Sequence, residues 1–288
     1  MKKTILAVDV GGTNIKTGLF IGAELVEGTL DSEPANSSGD LESIKKGYIA
    51  VIKRGAENAK KRDLVLDGIH VDIPAPFDYE KGISHMEHKY ASIKDVPLRP
   101  WFEEAAPGVP VRFMHDSASF IQGAATDVPE YSRIGGVMIG TGFGFGMMID
   151  GNPLRRESGE PLIERYDAPY DGTIAEEFVS LRGLMRLYKE ESGGKALECR
   201  DIIDGALDGD EACIRAYRRM AKVIADVLVP VFNEYRIEAL VLGGQISRPF
   251  DTYKDVLETE LKRVPSLKVI RRASNLEMVH LVGTAVGK

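Results

Sequence analysis

The chain has 288 residues, 43% hydrophobic and 28% charged, an ordinary globular composition long enough for two domains or one large one. A formal net charge of -7 argues against the basic surface a nucleic-acid binder needs, and no apolar run approaches the roughly 18 residues required to span a bilayer. Only Cys199 and Cys213 are present, without metal-ligand spacing, so neither a disulfide framework nor a cysteine zinc site is supported and a reducing cytoplasm is expected.

Taken in chain order, residues 4–10 read as a buried strand, with Thr17 to Ile21 as its hairpin partner. Leu41 to Lys61 shows helical apolar spacing through Ile44, Tyr48, Val51 and Ile52. Leu64 to Ile73 reads as a strand ended by Pro74-Ala75-Pro76. Pro110 to Met114 is a short strand, followed by a helix over 116–124 that Asp116 is expected to cap. Gly135 to Ile139 is a strand leading into a second glycine turn, with Met147 to Ile149 returning. Asn152 to Asp171, rich in charge, Gly and Pro, reads as a loop or lid. From Thr173 to Tyr235 the pattern is helical, its Tyr217, Met220, Ile224, Leu228 stripe a core face. Ala239 to Leu242 is a last buried strand before a third glycine turn at Gly243-Gly244. Strand, glycine turn, strand thus occurs twice, as in a duplicated α/β half.

The first turn carries the chemistry. A buried strand delivers Asp9, and Gly11, Gly12 and Thr13 follow. Glycines admit a close ligand, and successive N–H groups in such a turn form an anion-binding concavity. Asp9 would repel phosphate directly, so a divalent cation, Mg²⁺, is the expected mediator, bound directly or through water. The competing reading is a plain β-hairpin with a solvated Asp9. Lys16 either reaches phosphate or is a surface charge. Gly140, Thr141 and Gly142 offer a second set of donors, or only room for a crowded sheet. Asp116 suits a general base at a strand end and equally a simple cap; His115 beside it could donate to a hydroxyl or merely pack. His85 and His88 lack a third ligand, and Arg155-Arg156 reads as a solvated loop unless the acceptor is anionic.

Together these segments resemble the ROK family of sugar kinases, within the actin-like ATPase and hexokinase superfamily. Asp9-Val10-Gly11-Gly12-Thr13-Asn14-Ile15-Lys16 is similar to its first phosphate motif. Gly140-Thr141-Gly142-Phe143-Gly144-Phe145-Gly146 is similar to its second, and Val241-Leu242-Gly243-Gly244-Gln245 to its adenosine motif. His115-Asp116-Ser117-Ala118-Ser119 sits where the family carries its catalytic Asp, and the Gly283-Thr284-Ala285 ending is shared. The resemblance implies a two-domain α/β fold of the ribonuclease H-like, actin-like ATPase type with an interdomain cleft. Residues 1–114 would form the smaller domain and 115–288 the larger, the last residues packing back on the first. It implies ATP- and Mg²⁺-dependent transfer of the γ-phosphoryl to a sugar hydroxyl, commonly the 6-hydroxyl of a hexose, with Asp116 as base. Gly243 and Gly244 would serve ATP, and the assembly would be a homodimer without nucleic-acid or membrane partners.

The departures fall on the acceptor side. The family's zinc motif is missing, so no zinc is expected, and so is its sugar-binding His. Glu176 falls where a sugar-contacting Glu follows the zinc motif, and Glu160 stands for the other. His115 and Lys89 stand where the family has sugar-contacting Asn residues, and Asp72-Ile73-Pro74-Ala75-Pro76 replaces a Gly-x-Pro-Gly-Pro segment, with Pro74 still at the substrate. These changes fit an unusual acceptor such as an amino sugar, a disaccharide or a glycoside. They also leave open a catalytically silent nucleotide- and sugar-binding descendant acting as a sensor.

Overall fold

In the computed structural model, which describes residues 3–287, the chain divides into two compact units. The first runs to Thr126 and takes in Arg155–Pro161 and the chain from Met278 onward; the second comprises Asp127–Leu154 and Leu162–Glu277.

The first unit is built on a six-stranded sheet. Strand β1 (Thr4–Val10) pairs antiparallel with β2 (Asn14–Ile21), with Asp9 opposite Lys16 and Val10 opposite Ile15. Two short strands, β3 (Glu24–Leu25) and β4 (Asp31–Pro34), extend β2. Helix α1 (Leu41–Lys60) starts where Asp40 accepts a hydrogen bond from the Ser43 amide at 2.7 Å. Its apolar stripe of Ile44, Tyr48, Val51 and Ile52 is buried, as its spacing requires. Strand β5 (Leu66–Asp72) runs parallel to β1, and β8 (Val111–Met114) parallel to β5. Between them lie the small hairpin of β6 (Phe77–Asp78) and β7 (Ile83–Ser84) and helix α2 (Arg99–Ala105). Helix α3 (Asp116–Ala125) follows β8 at once.

The last helix, Val279–Val286, lies across α3 with almost no separation. A Cβ on Gly283 would stand 1.6 Å from the Ser119 carbonyl oxygen, and one on Gly123 1.9 Å from that of Val279. Only glycine permits two backbones this close. The contact holds α3 in the first unit, past the division drawn from the sequence at 114/115.

The second unit repeats the plan. Strand β9 (Arg133–Ile139) turns through Gly140-Thr141-Gly142 into antiparallel β10 (Phe143–Ile149), which β11 (Asn152–Pro153) extends. Strand β14 (Ala239–Gly243) runs parallel to β9, and β15 (Val269–Arg272) parallel to β14. The short strands β12 (Pro169–Tyr170) and β13 (Thr173–Ile174) pair in a hairpin. Helices α4 (Leu181–Glu191), α5 (Cys199–Leu207), α6 (Glu211–Tyr235) and α7 (Lys254–Glu260) complete the unit. Tyr217, Met220, Ile224 and Leu228 of α6 are wholly buried, as the stripe predicts. Asn152 to Asp171 is not a plain loop: it holds β11, a bridge between Arg155 and Pro161, and β12. Cys199 and Cys213 are buried and unbridged, and burial pushes their thiols up to about 11 and about 12, so they serve packing.

Candidate active site

In the first unit, register places the site. Asp9 at the end of β1 lies beside Asp72 at the end of β5, which lies beside Met114 at the end of β8. His115 and Asp116 come next in the chain. Three parallel strands therefore deliver three carboxylates to one sheet edge, the edge where open α/β sheets bind ligands.

Asp72 is 1% exposed. It accepts the Ser119 hydroxyl, and His280 Nδ1 from the last helix lies 3.0 Å from its Oδ2. Burial disfavours a charged His280, but the Asp72 bond and the charges of Asp72, Asp9 and Asp116 outweigh it and lift the imidazole to about 9. A second histidine serves Asp116. His115 Nδ1 lies 2.8 Å from Asp116 Oδ1. Burial works against ionisation of Asp116, yet the hydrogen bond and charge of His115, with His280 behind, hold the carboxyl below its usual range. In turn partial burial works against a charged His115, but its bond to Asp116 and the charges of Asp116, Asp72 and Glu160 raise it.

The expected cap is corrected by one residue. His115, with extended backbone at φ -73 and ψ 147, is the N-cap of α3, and Asp116 is the first helical residue. The Ser117 amide lies 3.1 Å from His115 Nδ1. One nitrogen serves two roles in turn: neutral, it accepts from Ser117; protonated, it donates to Asp116. The Asp116 carboxylate thus faces the His115 ring, and the Ser117 amide also bears on it.

Asp9 is the carboxylate without a histidine. Burial first, then the charge of Asp72, push it up to about 6, with His280 and Lys16 opposing. It forms no ion pair with a described residue. A half-buried, unpaired carboxylate facing another favours a divalent cation, so Asp9 fits Mg²⁺. Among the described residues no three His, Cys, Asp or Glu could hold a metal by themselves, so the other ligands would be water and phosphate oxygens. His85 is paired with Asp95 at 2.7 Å.

The first glycine turn is held from behind. The Gly11 carbonyl accepts from the Tyr90 hydroxyl at 2.8 Å, that of Gly12 from Ser37 Oγ at 2.6 Å, and that of Thr13 from the Ala35 amide at 2.8 Å. Among the described residues none accepts the Gly12 or Thr13 amide, which are left for an anion. Neither Gly11 nor Gly12 has a positive φ. Space, not backbone conformation, favours glycine at Gly11, where a Cβ would meet the Asn14 carbonyl at 3.0 Å; at Gly12 a Cβ would lie 2.9 Å from the Lys89 ammonium, the mobile end of a long side chain. Lys89, matched by resemblance to a sugar contact, therefore lies over the turn. Lys16 sits on β2 opposite Asp9.

Around His115 stand further groups of the same unit. The Tyr79 ring packs edge-on against it at 5.8 Å, and the Tyr79 hydroxyl donates to the Ile73 carbonyl at 3.0 Å, next to half-buried Pro74. Glu160 follows Gly159, which lies against the Tyr79 ring, and its charge bears on both Tyr79 and His115.

In the second unit, Gly140 has open space where a Cβ would be, while Gly142 abuts Glu176 Oε2 at 2.7 Å. Glu176 accepts from the Phe143 amide at 3.1 Å and from Arg182 at 2.9 Å, so its carboxylate props the second glycine turn. Gly244, at φ +82, would place a Cβ 2.1 Å from the Ile139 carbonyl oxygen, which ties the third glycine turn to the strand before the second. Gly243 ends β14.

Sequence reasoning missed His280 and the role of Asp72. A single histidine in the apolar run Val279-His280-Leu281-Val282 carries no local signal, and its partner is 208 residues away.

Known proteins share this plan. An N-acetyl-D-glucosamine kinase from Vibrio cholerae is 26% identical over 281 residues, covering 89% of this chain and 88% of that one. The solved ROK hexokinase from Thermus thermophilus superposes with a TM-score of 0.79 at 21% identity, covering 98% of this chain and 97% of that one. A ROK family glucokinase from Streptomyces griseus, solved with glucose and AMPPNP, gives 0.76 at 17% identity with 98% of each chain covered. The α/β fold is theirs. The sequence pattern of the ROK family runs through residues 5–285, from the first strand to the last helix, and the chain belongs to that family.

Proposed function

We propose that the protein transfers the γ-phosphoryl of ATP to a hydroxyl, the 6-hydroxyl, of a hexose or N-acetylated hexosamine. The observation that carries this reading is Asp116 just past the end of β8 with His115 Nδ1 2.8 Å from its carboxylate, in one unit with Asp9 and a glycine turn whose amides are uncommitted. Phosphoryl transfer asks a protein for positioning and charge neutralisation. Asp116 accepts the proton of the acceptor hydroxyl as the new O–P bond forms and the bond to the β-phosphate breaks, releasing ADP. The amides of Gly12 and Thr13 bind phosphate oxygens, with Gly11 giving the close approach. Asp9 would hold Mg²⁺, directly or through water, and the ion supplies charge neutralisation to the phosphates. In the second unit Gly140, Thr141 and Gly142 are assigned to phosphate, and Gly243 and Gly244 to adenosine.

His115, Glu160 and Pro74 are assigned to the acceptor, and Glu176 to holding the second glycine turn. An N-acetylated hexosamine is favoured by the kinase relatives named for N-acetyl-D-glucosamine. ADP release with Mg-ATP, measured across hexoses, N-acetylhexosamines and disaccharides, tests the reading. Turnover on one sugar that falls about 10³-fold in Asp116→Asn supports it. Full turnover by Asp116→Asn removes the base assignment, and ATP binding without turnover on any sugar favours a silent sensor.

A further inference from the structure

The segment after β7 is fastened to the first glycine turn. Tyr90, in a left-handed conformation at φ 56, is buried, and its hydroxyl donates to the Gly11 carbonyl at 2.8 Å. Its amide donates to the Ser37 carbonyl at 2.7 Å, and Ser37 Oγ donates to the Gly12 carbonyl at 2.6 Å. Lys89 is the residue immediately before this anchor. Its Cδ and Cε would lie 3.0 Å, and its ammonium 2.9 Å, from a Cβ on Gly12, so the side chain lies along the face of that glycine. Neighbouring lysines are neutralised: Lys94 pairs with Glu87 at 2.5 Å and Lys81 with Asp78 at 3.1 Å. Lys89 has no such partner among the described residues.

We infer that Lys89 is a phosphate-binding cation, acting with the Gly12 and Thr13 amides on the terminal phosphoryl group of the nucleotide. Three things coincide at this turn: two uncommitted N–H donors, an unpaired ammonium, and a glycine whose missing Cβ makes room for it. A phosphate oxygen takes up donors of this kind together. The inference rests on the kinase reading and gives Lys89 a role toward the donor in place of an acceptor hydroxyl. Lysine binds phosphate as a point charge, so an arginine retains most of the effect and a methionine of similar length none.

The test is calorimetric binding of Mg-AMPPNP and Mg-ADP to the full chain and to Lys89→Met and Lys89→Arg, followed by sugar kinetics on the same proteins. Lys89→Met is expected to weaken AMPPNP about tenfold or more and ADP less than about twofold. With a sugar that turns over, kcat falls about 100-fold while the acceptor KM stays within about twofold, and Lys89→Arg recovers most of both losses. Unchanged AMPPNP affinity in Lys89→Met overturns the inference. So does a rise in acceptor KM alone, which marks a hydroxyl contact. If the parent protein turns over no sugar, the kinase reading fails, yet the AMPPNP-to-ADP comparison still decides Lys89. If the parent binds no nucleotide, both are overturned.

Discussion

Two histidines and three carboxylates share one sheet edge, and their pairing sets the charge of each. His115 takes Asp116 and His280 takes Asp72, which leaves Asp9 without a histidine partner. The His280 side chain is 26% exposed, and its imidazole stands at about 9, above the ordinary value of 6.5. The groups that set it are Asp72, Asp9 and Asp116. A raised histidine contributes stability that is fully present below the unfolded value and is lost as pH rises through the folded one. Denaturation of the parent protein is therefore expected to show a loss of up to about 3 kcal/mol between pH 7 and 9.5 that His280→Gln lacks. Equal pH slopes for the two proteins would refute it. Asp72→Asn removes the group that keeps the proton on His280, leaves a neutral imidazole, and is expected to destabilise by about 1–3 kcal/mol in the same measurement. Of this cluster, Asp9 and Asp116 were legible from their neighbours in sequence. Asp72 was visible only as a departure, and His280 not at all, because a long-range pair leaves no local pattern.

At the level of elements, both glycine hairpins were legible, since a buried apolar run, a glycine turn and a return strand are read within about 15 residues. The cap of α3 was misread by one position because Asp and His can each accept the amide bond, and only the backbone at His115 shows which does. The crossing of α3 and the last helix decides more than either helix does. It brings His280 to Asp72 and fixes the helix that begins with Asp116. Gly283→Ala puts a Cβ into the Ser119 carbonyl and is expected to cost about 2 kcal/mol or more, with a fall in kcat because α3 carries Asp116, the proposed base. Urea midpoints and sugar kinetics on the variant check both. Gly244→Ala meets both a positive φ and the Ile139 carbonyl, and is expected to yield little folded protein; a normal melting temperature would show that the turn can relax.

For the whole molecule, each unit has its own sheet and its own buried core, and each repeats a glycine hairpin beside a parallel strand. The first unit is discontinuous in sequence. Leu281 and Ala285 of the last helix are buried with Ala7 and Phe20 of the first two strands, so the end of the chain completes what its beginning starts. A protein ending at Glu277 is expected to lose the first unit's fold, seen as rapid proteolysis within residues 3–126 while the second unit resists. By itself the sequence determined the strands, the glycine turns, two of the carboxylates and the family, because each is written in a short stretch whose spacing and residue types act locally. Only the tertiary structure decided which histidine neutralises which carboxylate, that Lys89 lies over Gly12, and that Glu176 supports the second turn. Those pairings join residues far apart in the chain, and strand register and a glycine helix crossing, rather than any local preference, bring them within hydrogen-bond reach.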